Sequence, residues 1–243
     1  MKIKKLILLL LFVLFIALLL VSTYKAMLII VQSQKDEHAF KTLALSVKEE
    51  SFTSPYAGLK QENDDFFGWI SIEDTELNYP VMYTPNRGDY YLHRAFDKSS
   101  SQSGVPFLDA NYEEGSRNYL IYGHNMRNGT MFSTLISYAS EQFFKEHPII
   151  KFDTLEESGE YKILSAFYSE APIQGSVEFK YYEYANLTNQ ADFETYLQEV
   201  TSRALYPTGV FVDEKDQLLT LSTCSYHASN GRFIVVAKKI NRD

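Results

Sequence analysis

From Phe66 onward the chain is written in short apolar, aromatic runs separated by turn residues. Phe67-Gly68-Trp69-Ile70-Ser71-Ile72 opens the series, Leu77-Asn78-Tyr79-Pro80-Val81-Met82-Tyr83 follows, and Tyr119-Leu120-Ile121-Tyr122 comes next. Residues 149–152, 161–167, 210–212, 218–223 and 233–240 continue it. Runs this short, rich in β-branched and aromatic residues and bounded by turn formers, read as strands. About eight of them in one chain imply a sandwich or a barrel. Two stretches carry helical spacing instead. Residues 130–138 put Met131, Leu135 and Tyr138 on one face, and residues 189–205 do the same with Phe193, Tyr196, Leu197 and Val200 behind the cap-like Asn189. Both stripes read as core-facing rather than as cofactor boxes. The expected fold is mainly β with inserted helices.

What precedes this domain sets its compartment. Residues 6–21 are uninterruptedly apolar, and with Ser22, Thr23 and Tyr24 the run approaches the roughly 20 residues that span a bilayer as a helix. A cleavable signal peptide would have a shorter apolar stretch and a better small-residue site than Val21-Ser22-Thr23-Tyr24-Lys25. Lys2, Lys4 and Lys5 stand before the run with no acidic residue among them, which places the N-terminus in the cytoplasm and the rest outside. The chain then divides into a cytoplasmic tail (1–5), a transmembrane signal-anchor (6–24), a stalk with an N-terminal helix (25–56) and one domain (57–243). In the stalk, residues 35–50 carry Phe40, Leu43, Leu45 and Val47 among charges, an amphipathic helix ended by the Pro55 region.

The formal charge is −8, and three of the lysines precede the apolar run, so the exported part is more acidic still. That surface argues against nucleic acid and other polyanions as partners. With one cysteine and scattered histidines, zinc has no ligand set at the usual spacing. Glu62, Asp64 and Asp65 read as a solvated turn before they read as calcium ligands. No cofactor is expected.

Cys224 is the one cysteine of an exported chain and closes Leu218-Leu219-Thr220-Leu221-Ser222-Thr223-Cys224, a strand that delivers a thiol at its end. An internal disulfide is impossible, which leaves a buried small hydrophobe, an intermolecular link or a nucleophile. A nucleophilic cysteine needs a base or cation beside it and a donor for the oxyanion. Of five histidines, His38 falls in the stalk helix and His147 in a charged turn before Pro148, both reading as surface. His93 sits at an apparent strand end, and His227 lies three residues past the cysteine. His124 is the favoured partner, since Tyr122-Gly123-His124-Asn125-Met126 presents it just past a strand, behind a glycine that permits a sharp exit. Arg232 opens the last strand after Asn230-Gly231, and a hairpin from Cys224 makes the two neighbours. Its guanidinium offers a fixed fork of donors to a carbonyl or an oxyanion.

These residues together resemble a known family. Thr220-Leu221-Ser222-Thr223-Cys224 is similar to the sortase signature Thr-Leu-x-Thr-Cys, with the histidine upstream and the arginine downstream in the same order. Asn78-Tyr79-Pro80-Val81, Tyr90-Tyr91-Leu92-His93-Arg94, Gly129-Thr130-Met131-Phe132 and Arg232-Phe233-Ile234-Val235-Val236-Ala237-Lys238 look like class B sortases in particular. The resemblance implies an eight-stranded sortase-type β-barrel with N-terminal helices and a long inserted helix. It implies that residues 57–243 form a cysteine transpeptidase domain acting on the C-terminal sorting signals of surface proteins. Cys224 would form the thioacyl enzyme at a Thr-Gly-type bond, His124 would carry protons, and Arg232 would hold the oxyanion. By matching position, Leu92, Tyr122, Ser222 and Thr223 would line the sorting-signal groove, with Asn86 beside them. The acceptor would be an amine of the peptidoglycan precursor or, in a pilus-building relative, a pilin lysine. A secreted cysteine peptidase and an adhesion domain are the more distant alternatives. Two departures stand out. Ser225 and Tyr226 occupy positions where some class B relatives carry an acidic residue, so no carboxylate orienting His124 carries over. The loop from Cys224 to Arg232 is also short, which would reshape the rim of the groove. No Asp-Pro-aromatic lid motif of the class C type precedes the domain, which argues for an open cleft.

Overall fold

The computed structural model describes residues 2–49, 56–170, 179–228 and 230–240. Its strands are β1 (Phe66–Ser71), β2 (Asn78–Met82), β3 (Phe107–Leu108), β4 (Asn118–Tyr122), β5 (Ile149–Thr154), β6 (Glu160–Glu170), β7 (Leu218–Cys224) and β8 (Gly231–Lys239). They close into a barrel in the spatial order β1-β2-β3-β4-β7-β8-β6-β5, with β5 returning to β1. Neighbours are antiparallel except for β2 with β3 and β4 with β7. One apolar cluster draws side chains from every strand and fills the barrel. A second lies between α4 (Gln190–Ser202) and the outer faces of β4, β6, β7 and β8. β7 is therefore covered on both faces, with Leu219 and Leu221 turned inward and Leu218 toward α4. A strand buried on both faces carries no charge, and the hydroxyls it turns outward, Thr220 and Ser222, are themselves buried and bonded to the hydroxyls of Tyr196 and Tyr181 at 2.6 and 2.8 Å.

The barrel matches the expected count of strands, but its membership differs. Residues 210–212 form no strand. Phe211 is 88% exposed, and the barrel closes without a free edge for that segment to join. β3 takes the vacant place, a two-residue bridge between β2 and β4 too short to show a period. The helix expected over 130–138 is a 3₁₀ helix, Phe132–Ala139. It buries Phe132, Leu135 and Tyr138, three residues apart, the spacing at which 3₁₀ side chains eclipse. α4 starts where its cap predicts, with the Asn189 side chain accepting from the Asp192 amide at 2.8 Å.

α1 (Lys2–Glu49) runs unbroken across the expected boundary between anchor and stalk. It is long and apolar enough to cross a membrane, and its exposed apolar side chains continue beyond Tyr24 through Met27, Leu28, Ile29, Ile30 and Val31. Past that point it docks on the barrel. Asp36, 5% exposed, accepts from the Ser101 hydroxyl at 2.5 Å, and Phe40 meets the ring of Tyr79 edge-on at 5.5 Å. Leu43 and Val47 pack against the same core, whereas Leu45 faces solvent. The break expected at 51–56 lies outside the described residues except for Tyr56, which precedes the short α2 (Ala57–Glu62), and the equally short α3 (Glu141–Glu146) follows the 3₁₀ helix.

Candidate active site

β4 and β7 are parallel neighbours that pair Tyr122 with Ser222, so the residues leaving both strands emerge at one end of the barrel. Cys224 ends β7, and His124 follows β4 by two residues. β8 returns antiparallel and sets Arg232 opposite Cys224 in register. Cross-strand partners share a face of the sheet, and so do residues two apart. Tyr122, Ser222, Cys224 and Arg232 therefore lie on one outer face, beneath the second cluster. Thr223 turns the other way, 2% exposed, and its hydroxyl donates to the Gly123 carbonyl at 2.8 Å.

His124 is half-buried, and its Nε2 lies 2.8 Å from the Leu92 carbonyl. A carbonyl only accepts, so Nε2 donates and Nδ1 is left as the acceptor of the neutral ring. Burial holds the imidazole below its ordinary range, the Leu92 carbonyl opposes that, and the nearby His93 adds to it. The His93 ring stacks at 5.6 Å. His93 thus lies at the end of a 3₁₀ helix, Tyr90–His93, rather than at a strand end. Gly123 does not adopt a positive φ. It is small because a Cβ there would come within 2.6 Å of the buried Phe132 ring. Glycine in this position serves close approach, where the sequence suggested a sharp exit.

Two ties lock the His124 loop to the Cys224 strand. The Gly123 amide donates to the Ser222 carbonyl at 3.1 Å, and the Asn125 side-chain amide donates to the Cys224 carbonyl at 3.0 Å. Asn125 received no role from the sequence, although it follows the histidine directly. Tyr181 was also missed. Its hydroxyl meets Ser222 Oγ at 2.8 Å, and burial raises its phenol against the pull of Ser222 and Arg232. The tyrosine-rich run 181–184 gave no sign that one member faces the thiol strand. Tyr122 donates to Asp109 at 2.7 Å, and burial together with that carboxylate pushes its phenol well above the usual range. Leu92 sits beside His124 through its carbonyl, and Asn86 lies exposed in the turn that leads toward the Tyr90–His93 helix.

The remaining candidates go elsewhere. His227 faces Tyr168 at 4.7 Å between ring centres and Ser225 Oγ at 3.0 Å. His38 is exposed, whereas His147 is half-buried against Phe143, at 4.4 Å between rings. Asp64 and Asp65 both pair with Lys98, at 2.9 and 3.3 Å, and Glu62 is exposed. Among the described residues no three of histidine, cysteine, aspartate and glutamate converge on a point where a metal ion would fit. The arrangement offers a half-buried thiol, a neutral imidazole and a guanidinium at one barrel end, the equipment of acyl transfer through a cysteine.

Residues 70–240 match the sortase-domain family. The chain is 32% identical to sortase B of Listeria monocytogenes over 188 residues, covering 76% of this chain and 73% of that protein. It is 30% identical to sortase B of Staphylococcus aureus over 211 residues, covering 85% and 83%. The crystal structure of a Staphylococcus aureus sortase B–substrate complex superposes with a TM-score of 0.76 at 27% identity, covering 88% of this chain and all of that one.

Proposed function

We propose, for a chain that belongs to the sortase family and to its class B and so is a cysteine transpeptidase, that it joins surface proteins to an amine of peptidoglycan. The observation that carries this reading is the meeting of Cys224, Arg232 and the His124 loop, drawn together by strand register and by the Asn125 bond to the Cys224 carbonyl. Cys224 sulfur attacks the carbonyl carbon of a Thr-Gly-type bond in the sorting signal. The thiol proton passes to the free Nδ1 of His124, the carbon–nitrogen bond breaks as the leaving amine takes that proton, and a thioester remains on the enzyme. Arg232 donates to the oxyanion formed at each addition. An incoming amine then attacks the thioester, loses its proton to the neutral imidazole and releases the thiol. Tyr122 and Ser222 line the sorting-signal groove from the outer face, Leu92 and Asn86 border it beside His124, and Thr223 supports it from beneath.

α1 serves as a single-pass anchor with its lysine-bearing end in the cytoplasm and the barrel outside the cell. The division into tail (1–5), span (6–24), stalk (25–56) and catalytic domain (57–243) belongs to the same reading. The test uses the full chain in detergent micelles, Thr-Gly peptides of varied flanking sequence, and triglycine as acceptor. The expected product is the peptide joined to triglycine. Free acid alone in the presence of triglycine would make the protein a peptidase, and preference for a lysine side-chain amine would make it a pilin polymerase.

A further inference from the structure

His124 is oriented by the Leu92 carbonyl, and that carbonyl belongs to a small element. Leu92 lies near the end of the 3₁₀ helix Tyr90–His93, four residues long and followed by extended Arg94. So short a helix has too few bonds of its own to fix where its last carbonyls point. Residues 101–105, which return beside it, supply the missing ties. The Val105 amide donates to the Tyr91 carbonyl at 3.0 Å and the Ser101 amide to the His93 carbonyl at 3.1 Å, so Leu92 is bracketed on both sides. Gly104, at a φ of +59°, lays its backbone against the Leu92 carbonyl, which a Cβ there would approach to 2.5 Å. The bracket is in turn tied to α1. The buried Ser101 hydroxyl donates to Asp36 at 2.5 Å and accepts from the Ser103 amide at 3.2 Å. The other Asp36 oxygen accepts from Gln32, one turn back on the helix, at 2.8 Å. Ser33, three residues before Asp36 and so on the same side of α1, accepts from Asn128 at 3.1 Å, in the loop that leaves His124. One side of the helix therefore holds both partners of the His124–Leu92 bond, the acceptor through Asp36 and the loop of the donor through Ser33.

We infer that Asp36 of the anchor helix is a positioning residue for His124, acting through Ser101 and the Leu92 carbonyl, so that the thiol is served by a correctly set imidazole only while α1 is docked on the barrel. The inference deepens the transpeptidase reading and rests on it. Asp36 touches neither the thiol nor a substrate. Its bond to Ser101 fixes the segment that aims the Leu92 carbonyl, and the carbonyl keeps the ring proton on Nε2, which leaves Nδ1 free to take the thiol proton. Without that bond the bracket loosens, the ring can turn or change tautomer, and a protonated Nδ1 accepts nothing. Docking by itself does not call for a carboxylate. Phe40 against Tyr79 supplies apolar contact, whereas burying Asp36 to 5% exposure costs desolvation that an apolar residue would avoid. A buried polar bond retained at such a cost specifies one arrangement, and the arrangement specified here is that of the segment behind Leu92.

The test uses the full chain in detergent micelles with isotope-labelled histidine. Asp36→Ala and Ser101→Ala remove the bond from either side, and Ser101→Ala leaves the carboxylate on Gln32, so it reads the same bond should Asp36→Ala fail to fold. Asp36→Asn keeps an oxygen for Ser101, and Gln32 can turn its amide to accept from the new amide group. Two quantities are read: the NMR signal of the hydrogen-bonded Nε2–H of His124, and the rate of thioester formation at saturating Thr-Gly peptide. In both alanine variants the Nε2–H signal should vanish or give way to the other tautomer, and the rate should fall by up to about 10²-fold, the effect of displacing a catalytic group by about 1 Å. Asp36→Asn should retain the signal and most of the rate. Ser165→Ala, which removes another buried hydroxyl bond, to the Val200 carbonyl at 2.6 Å, should change neither and so separates positioning from general loss of stability. A signal that survives in both alanine variants, or a rate that does not fall with it, overturns the inference, as does an Asp36→Asn variant impaired as much as Asp36→Ala. The signal is read without substrate, so failure of the unaltered chain to form a thioester would defeat the transpeptidase reading and leave this test standing.

Discussion

His124 shows how one residue's surroundings set its chemistry. Burial lowers its proton affinity below the ordinary 6.5, so in the folded protein the ring is less charged than a free imidazole at the same pH. The unfolded chain then binds more protons than the native one just below that pH, and the site's contribution to stability, full above about pH 6.5, is lost as pH falls toward the depressed value. Thermal midpoints should drop across that window, and His124→Gln should flatten the drop. Proton NMR of the ring should give a midpoint under 6.5, and a midpoint at or above that value would mean the burial is not felt. His124→Ala should abolish turnover, while His227→Ala, whose ring lies against Tyr168 and Ser225 Oγ, should keep most of it. Arg232→Lys keeps the charge but loses the fork of donors, and steady-state kinetics should show a fall on the order of 10²–10³, the usual consequence of losing one oxyanion donor. A variant within about twofold of the parent would remove Arg232 from that role.

Among the elements, those legible in advance were the ones whose signal is local. β7 announced itself by an apolar run, α4 by its cap and its stripe, and the Cys224–Arg232 neighbourhood by the shortness of the hairpin. β3 stayed hidden because two residues carry no period, and residues 210–212 misled because apolar composition alone cannot reveal that a closed barrel offers no edge. The 130–138 stripe was drawn through Met131, Leu135 and Tyr138, four and three residues apart, whereas the 3₁₀ helix buries Phe132, Leu135 and Tyr138 at a spacing of three. Within the site, Cys224, His124 and Arg232 were readable from motif and order, whereas Asn125 and Tyr181 depend on which strand lies beside which. Gly123 joins the two levels. Gly123→Ala would drive a methyl group into the Phe132 ring, and overpacking of this kind costs about 1–3 kcal/mol. Chemical denaturation should show that loss, and activity should fall further than stability alone explains, because the His124 loop must move with the ring.

At the scale of the whole molecule, α1 is one unbroken helix whose apolar first part leads into a part docked on the barrel. Asp36→Ala would leave the Ser101 hydroxyl without its buried acceptor, at about 1–3 kcal/mol. Hydrogen exchange should then rise along the docked part of α1 while the barrel strands keep their protection. An unchanged pattern would mean that Phe40 and its neighbours hold the helix alone. The barrel, the helix and the loops converge on one claim, that the Cys224 sulfur carries the acyl group between two substrates. Intact mass spectrometry after incubation with Thr-Gly peptides and no amine measures this directly. The predicted result is a mass increase of one acyl fragment, mapped to Cys224, that vanishes when triglycine is added and does not form in Cys224→Ala. An adduct that persists in the alanine variant, or one that forms on Cys224 and is untouched by the amine, would contradict it.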